Sequence, residues 1–369
     1  MRSQFQLRSL PAPAKPHALP RIAKVSMLYG KPNSMYEGAI QSHTRHAARW
    51  GYPMHVLRQD IAAGFWNKPT YLLAMIVNEL SKPADERIEW MMWVTHKCHV
   101  HRHKSCYASS NMLLTFPLQT RDRWVDADSI LINPEIPAEI FLPPADLADI
   151  HAVATKDHNG LNTGIIFVRV HPWTVTMLSE TIGYPLHHPE VGLGGNADQD
   201  VMAGIFKKQQ GGPDGAGYAN DVIYIPRPLI NAYEFSHGFE GERGSFIVHF
   251  PGMEEARWSH MAGWLSAIEK TPGKWEVPLP ETPHANTTDV FWRQVRAARA
   301  AIRSTERDLA SSDKVVAGTE RDVNDAKLAV ELMKDALREQ SDDLELMQAR
   351  IAELERLRTV IGWNGESEE

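Results

Sequence analysis

Strand-like apolar runs alternate with segments of helical spacing through most of the chain, and this alternation constrains the fold more than any other feature. Helical spacing is found at residues 36–50 and again at 68–80, where Pro83 follows the second segment. Strand patterns are predicted at 22–29, 54–57, 125–132, 151–155 and 164–170. Strands that alternate with helices over about 250 residues predict an α/β sheet layered by helices.

A different pattern begins near residue 284. Apolar residues recur at intervals of seven without a miss, at Val295, Ile302, Leu309, Val316, Val323, Val330, Leu337, Leu344 and Ile351. A sustained heptad with charged flanks is typical of a left-handed coiled coil. We therefore predict a coiled coil over residues 284–361 that serves assembly or packing. One long helix lying along the globular domain is the alternative that the pattern leaves open.

Composition completes the division of the chain. Residues 1–20 hold four Pro and no apolar period, which predicts a disordered leader, and residues 362–369 are predicted to be a disordered tail. Residues 21–283 then form the globular domain. The net charge of -7 argues against a dedicated nucleic-acid binder. No stretch approaches the 18 consecutive apolar residues typical of a membrane span, so none is predicted.

Residues 94–123 do not match their surroundings, because they contain both cysteines, four histidines and no clear period. They can be interpreted as a soft-metal site, although the spacing fits no known zinc module, or as a surface loop. They can also be interpreted as a translated intron. Trp93-Val94 recurs as Trp124-Val125, and removing 93–123 leaves a continuous Trp-Val-Asp-Ala-Asp. The codons at Met92-Trp93 contain GT and an Arg123 codon can contain AG, as intron boundaries require.

Asp126 and Asp128 stand one residue apart at the start of an apolar run. Two carboxylates so placed suit a hard divalent cation that can also contact diphosphate oxygens. A bare Asp-x-Asp is common in solvated turns, but the flanking strand pattern and the Trp-rich segment before it favour a binding site here.

Three further polar clusters adjoin apolar runs. Residues 159–164 are small or carry amides, which allows close backbone approach to a ligand and hydrogen bonds to sugar hydroxyls; an ordinary tight turn is the alternative. Asp198 and Gln199 open an apparent helix, where the carboxylate could equally be a helix N-terminal charge. His249 ends a strand pattern, and a packed histidine is the alternative there. The sequence contains neither a P-loop nor a Gly-x-Ser-x-Gly elbow.

As an ordered set these motifs resemble glycosyltransferase family 34, which contains fungal α-galactosyl- and α-mannosyltransferases and plant xyloglucan xylosyltransferases. The resemblance covers residues 22–280 and rests on 25–30, 51–53, 65–68, the Asp-x-Asp, 160–164, 198–199 and 249–252. It implies a GT-A fold, a Rossmann-like nucleotide-sugar domain with a mixed sheet. It also implies metal-dependent, retaining transfer of a hexose from a UDP- or GDP-linked sugar to a glycan hydroxyl, with Mn²⁺ or Mg²⁺ as the metal.

The resemblance also implies roles for single residues. Asp126, Asp128 and His249 would bind the metal, and Asp198 and Gln199 would face the donor sugar and the reaction centre. The nucleotide sugar and the acceptor would be bound by Tyr29, Gly30, Lys68, Asp126, Asn162, Gly164 and Gly252. No residue is an unambiguous nucleophile, so attack on the same face of the sugar, guided by the leaving group, is preferred.

The sequence departs from the family pattern at two points. Ala197 stands where members often carry an acid, and no Lys follows His249 closely, so that Arg257 is the nearest cation. The alternative to an active enzyme is therefore a catalytically inactive homologue that acts as a coiled-coil scaffold or partner subunit. As partners we expect a nucleotide sugar, a glycan acceptor and a coiled-coil homo- or hetero-oligomer. The resemblance implies a Golgi location, although no signal or anchor is recognisable in the sequence.

The intron hypothesis predicts a spliced transcript. Sequencing cDNA is expected to yield a message that lacks the codons of residues 93–123, because their removal keeps the reading frame. Uniform inclusion of those codons in all transcripts would reject the hypothesis.

Overall fold

The computed structural model describes residues 19–94, 97–100, 123–126, 128–209, 217–311, 320–339 and 344–360. The strands are β1 Ile22–Met27, β2 Met54–Leu57, β3 Trp90–Val94, β4 Lys97–Val100, β5 Arg123–Asp126, β6 Ser129–Leu131, β7 Ala152–Asp157, β8 Gly160–Arg169, β9 Val222–Tyr224, β10 Ala232–Phe235, β11 Gly238–Phe239 and β12 Ile247–His249. The helices are α1 Ser34–Trp50, α2 Asn67–Leu80, α3 Pro172–His187, α4 Ala197–Phe206, α5 Arg227–Ile230, α6 Arg257–Lys270, α7 Pro272–Trp275, α8 His284–Ser311, α9 Glu320–Glu339 and α10 Leu344–Val360. The predicted disordered tail and all but the last two residues of the predicted leader lie outside the described residues.

Six strands form the central sheet in the order β2-β1-β3-β8-β7-β9. Strand β1 pairs in parallel with β2 and β3, β8 is antiparallel to β3 and β7, and β9 is parallel to β7. Every residue of β1 and β3 is buried, as expected for strands covered on both faces. The predicted α/β architecture is confirmed as a mixed parallel and antiparallel sheet with helices.

A second sheet has the strand order β11-β10-β12-β6, so that β6 lies at its edge. Strand β6 pairs with β12 in antiparallel fashion over three residues. Helix α1 covers the other side of β6, where the Leu131 N–H donates to Ser42 Oγ at 2.9 Å. The edge of this sheet is therefore closed by side chains of a helix instead of a further strand.

Local signals explain why α1 lies where it does. Its N-cap is Asn33, whose side chain accepts hydrogen bonds from the N–H groups of Met35 and Tyr36. Its C-terminus is Gly51, whose φ of 73° lies in the left-handed region that favours glycine. These two ends set the bounds of the helix that contacts both sheets.

The single strand predicted over 125–132 is wrong. The structure has two strands there, because β5 pairs with β4 while β6 pairs with β12 in the second sheet. Lys97 lies opposite Asp126 in the β4–β5 pair. Residues 95–96 and 101–122, which make up most of the anomalous segment, lie outside the described residues, and so do the side chains of 97–100. The metal-site, loop and intron interpretations of this segment stay predictions.

The described residues of the C-terminal segment form three helices, α8, α9 and α10, which pack against one another. Arg358 Nε lies 2.6 Å from Asp308 Oδ2 and joins α10 to α8. The buried heptad residues Val295 and Val330 belong to the same hydrophobic core as Phe246 of the globular domain. Because these helices contact one another, the segment is not one continuous helix. Its apolar stripe is buried within a single chain. The alternative prediction is one long helix lying along the globular domain. The segment does pack on the core of that domain, but its described residues form separate helices.

None of the described helices combines the length and the apolar character that a bilayer-spanning helix needs.

The C-terminal packing predicts how Leu354→Ala changes stability. Leu354 is 0% exposed, so the truncation is expected to lower the free energy of unfolding by about 3 kcal/mol. The loss should be independent of protein concentration, because the contacts lie within one chain. Urea unfolding at two concentrations measures it. Leu328→Ala on α9, where Leu328 is 59% exposed, is the control and should change the free energy by less than about 0.5 kcal/mol. A loss that depends on concentration would contradict this packing and indicate a coiled coil between copies.

Candidate functional site

Two of the three predicted metal ligands meet where β6 and β12 pair. Ser129 lies opposite His249 in the ladder, and the Phe250 N–H donates to the carbonyl oxygen of Asp128 at 3.0 Å. These backbone bonds bring Asp128 Oδ1 to 3.4 Å from His249 Nε2, with both side chains buried. The strand pairing thus creates a carboxylate–imidazole pair from residues far apart in sequence.

A hydrogen-bond chain determines how the His249 ring is presented. The Asn162 Oδ1 atom accepts from the Gly164 N–H at 2.9 Å, and it also faces Asn231 Nδ2 at 2.9 Å. Since the amide nitrogen of Asn231 donates there, its oxygen accepts from His249 Nδ1 at 2.8 Å. Nδ1 therefore carries the hydrogen, and Nε2 is directed at Asp128. This is the tautomer in which Nε2 can bind a metal ion.

Gly164 is a glycine because the His249 ring occupies the space of a side chain. A Cβ atom at this position would lie 2.6 Å from His249 Cε1 and 2.9 Å from Asn162 Oδ1. Neither neighbour can move away without disturbing the hydrogen-bond chain. What the structure shows for Gly164 is thus close packing, and its predicted contact with a nucleotide sugar stays a prediction.

A second cluster adjoins the first at the next residue of β8, where Lys68 and Gln199 both contact Thr163. Lys68 Nζ donates to the Thr163 carbonyl at 2.8 Å and lies 3.5 Å from Asp198 Oδ2. Gln199 Oε1 accepts from the Thr163 N–H at 3.0 Å. Lys68 and Asp198 are both buried, and burial lowers the pKa of the Lys68 ammonium to about 8 although Asp198 opposes the shift.

For the remaining predicted site residues the structure gives single contacts or backbone angles. Tyr29 lies in the loop after β1, and its Oη donates to Asp60 Oδ1 at 3.3 Å. Gly30 and Gly252 have φ values of 101° and 68°, which explains glycine at both turns. Asp126 ends β5, and its side chain lies outside the described part of the structure.

Whether the cluster suits a metal ion can be judged from its donors. Imidazole nitrogen and carboxylate oxygen are both ligands that Mn²⁺ accepts, so Asp128 and His249 fit a divalent cation. Within the residues that the structure describes, no three His, Cys, Asp or Glu side chains are grouped to hold one. A complete ligand set would therefore need a further donor such as Asp126.

Sequence reasoning missed several polar residues of the site. Asn231 joins the two sheets and no motif marks it, because only the tertiary fold brings it to His249. Tyr233 Oη donates to Asp157 Oδ2 at 2.7 Å, and burial together with Asp157 raises the pKa of Tyr233. Arg257, noted in the sequence only as the nearest cation, is buried with Nη1 3.8 Å from Asp128 Oδ2.

Comparison with known proteins shows what the chain is similar to. Residues 145–259 match the model of the galactosyl transferase GMA12/MNN10 family, and this segment includes Asn162, Asp198 and His249. The chain is 25% identical over 233 residues to an alpha-1,2-galactosyltransferase of Schizosaccharomyces pombe (strain 972 / ATCC 24843), covering 58% of this chain and 56% of that protein. The resemblance to glycosyltransferase family 34 is confirmed.

Two further similarities complete the comparison. A probable alpha-1,2-galactosyltransferase of the same yeast, gmh2, is 27% identical over 116 residues, which are 29% of each chain. The chain thus spans about half the length of the first of these two relatives and under a third of the second. The crystal structure of a glycosyltransferase involved in the glycosylation of the major capsid of PBCV-1 aligns with 66% of this chain and 100% of its own, at 14% identity and a TM-score of 0.43.

The buried ammonium of Lys68 predicts a specific dependence of stability on pH. The pKa of Lys68 is about 8 in the folded chain and has its ordinary value of 10.5 in the unfolded chain. Between pH 8 and pH 10.5 the Lys68 amine is therefore protonated mainly in the unfolded chain. The free energy of unfolding should therefore rise with pH across this window, by roughly 2–3 kcal/mol relative to Lys68→Met, which lacks the group. Urea unfolding of both proteins between pH 7 and 10.5 measures the difference.

Asp198→Asn provides the control for the cause of the shift. Without the carboxylate that opposes burial, the Lys68 pKa should fall further, and the rise in stability should begin at lower pH. A stability difference between the Lys68 proteins that does not change with pH would contradict the prediction.

Proposed function

We propose that this chain is a glycosyltransferase that moves a hexosyl group, with galactose as the first candidate, from a nucleotide sugar to a glycan hydroxyl. The observation that carries the proposal is the pair Asp128–His249, oriented through Asn231 and adjoining the Lys68–Asp198 cluster along β8. The match of residues 145–259 to a galactosyl transferase family and the two relatives named as galactosyltransferases support the substrate class.

The proposal includes a divalent cation, Mn²⁺ or Mg²⁺, bound by Asp128, His249 and Asp126. When bound, such an ion neutralises the charge that develops on a diphosphate leaving group. The chain's own residues orient the side chains that would bind the ion. Asn231 keeps the hydrogen of His249 on Nδ1, and the Phe250 N–H holds the backbone of Asp128 in place.

The cluster around Lys68 is proposed to face the donor sugar. The ammonium 3.5 Å from Asp198 pairs with the carboxylate, and this pairing makes the carboxylate a weaker nucleophile. Gln199 is anchored by its oxygen to the Thr163 N–H, so its amide nitrogen is the end proposed to donate to a sugar hydroxyl. Retention by same-face attack fits these roles better than a covalent intermediate on Asp198.

The finer predictions belong to the same proposal. We infer that the two sheets constitute a GT-A fold and that residues 126–128 act as its Asp-x-Asp motif. A Golgi location with membrane association is proposed on the family resemblance. The predicted coiled-coil oligomer rests on the heptad of residues 284–361 alone, and the packing of α8, α9 and α10 within one chain argues against it. The inactive homologue is the competing proposal, supported by the position of Asp126 at the end of the β4–β5 pair, where it does not directly follow β3.

Nucleotide release tests the proposal. With Mn²⁺ present the chain is expected to release UDP from UDP-galactose as the galactosyl group passes to an added glycan hydroxyl or to water. UDP-glucose and GDP-mannose should be compared in the same assay. Asp128→Asn keeps the side-chain shape but removes the charge, and it should lower kcat/KM at least about 100-fold. Asp146→Asn, at an exposed ion pair with Arg296, is the matched control and should stay within about twofold of the parent.

The same assay separates the two proposals. A version lacking residues 93–123 is tested beside the full chain, because the intron hypothesis makes this segment an insertion before the proposed metal ligands. If neither folded protein releases nucleotide from any donor, the enzyme proposal fails and the inactive homologue replaces it.

A further inference from the structure

A buried polar cluster that none of the proposed chemistry uses lies between β1, α1 and β6. Lys24 of β1, His43 and His46 of α1, and Ser129 of β6 are each at most 1% exposed. Burying an amine and two imidazoles costs free energy unless their polar atoms are bonded to one another. The cluster therefore calls for a physical explanation.

The amine of Lys24 is the centre of the cluster. Its Nζ atom lies 3.0 Å from Nδ1 of His43 and 3.1 Å from Nδ1 of His46. The opposite ring nitrogens reach the segment around β6, because His43 Nε2 lies 3.0 Å from Ser129 Oγ and His46 Nε2 lies 2.8 Å from the Ile136 carbonyl oxygen.

The Ile136 carbonyl assigns the hydrogens. A carbonyl oxygen only accepts, so His46 Nε2 must donate, and its neutral ring then accepts from Lys24 through Nδ1. His43 faces Lys24 through Nδ1 and Ser129 through Nε2, and we assign it the same polarity as His46, so that it accepts from Lys24 and donates to Ser129. Burial lowers the pKa of both histidines, that of His46 to about 2, in agreement with neutral rings. All four hydrogen bonds thus run outward from Lys24.

These bonds matter because β6 is a short edge strand. It pairs with β12 over only three residues, and a slip of one residue would turn each of its side chains to the opposite face. On its other side, α1 holds the segment through Ser42, His43 and His46, which bond Leu131, Ser129 and Ile136 respectively. Lys24 in turn ties both histidines to the central sheet.

We propose that Lys24 and His43 are positioning residues for Asp128, which they act on through Ser129. The chain of contacts fixes the register of β6, and this register brings the Asp128 carboxylate to 3.4 Å from His249 Nε2. The part of the proposal that concerns metal affinity rests on the proposed function, whereas the register of β6 does not.

Two measurements on the full chain test the proposal, hydrogen exchange of the peptide spanning 128–132 and Mn²⁺ affinity by calorimetry. Lys24→Met fills the space without a donor, and it should accelerate exchange in this peptide at least tenfold and weaken Mn²⁺ binding at least tenfold. His43→Phe should behave in the same way. His43→Gln keeps an amide donor toward Ser129 and should stay within about threefold of the parent in both measurements.

Thr181→Val on α3 is the matched control for lost stability. Thr181 is fully buried and its Oγ1 donates to the Met177 carbonyl at 2.8 Å, far along the chain from the cluster. It should destabilise the protein without changing Mn²⁺ affinity or selectively exposing the 128–132 peptide. If Lys24→Met does not fold, the His43 pair carries the comparison by itself.

Each outcome decides the proposal. Unchanged exchange in 128–132 for Lys24→Met overturns it, and so does a loss of protection spread evenly over the domain as in Thr181→Val. If the parent binds no Mn²⁺, the metal in the proposed function fails, while faster exchange confined to 128–132 still supports the positioning role. Equal effects of His43→Gln and His43→Phe would also overturn it, since the donor to Ser129 would then be irrelevant.

Discussion

Three consecutive residues near the start of β8 hold the candidate site together. Asn162 bonds Asn231 and so orients His249, Thr163 binds Lys68 through its carbonyl and Gln199 through its N–H, and Gly164 leaves room for the His249 ring. All three residues are buried, and Asn162 pairs with Thr155 of β7, so these contacts start from a strand that is held in the central sheet. Groups from both sheets and from two helices are thereby placed in one region.

The buried charged groups of the site are placed next to groups of opposite charge or to histidine. Lys68 and Asp198 compensate each other at 3.5 Å, and Asp128 lies between His249 and the guanidinium of Arg257. The cluster around Lys24 differs, since the contacts described for Lys24 are to imidazoles and burial lowers the pKa of its amine. Asp128 thus connects the paired charges of the candidate site to this buried hydrogen-bonded cluster through the neighbouring Ser129.

Much of the site was predictable because its members sit at strand ends and in ordered motifs. Asp128, His249, Asn162, Lys68, Asp198 and Gln199 were all named from sequence, and the structure brings them into two adjoining clusters. Asn231 was not predictable, because no motif marks it and its role arises from contacts with Thr155, Asn162 and His249. Lys24 was read only as part of a strand, since an apolar pattern does not reveal a buried amine.

The sequence by itself determined the α/β alternation, the family resemblance and the residue types of the site, because periodicity and ordered motifs are local properties. Only the tertiary structure decided which residues meet. The heptad of 284–361 predicted apolar helices but not their partners, and the folded chain packs them on one another and on its own core. Likewise Asp128 became a partner of His249 only through the β6–β12 ladder, since strand pairing depends on contacts between segments that are distant in sequence.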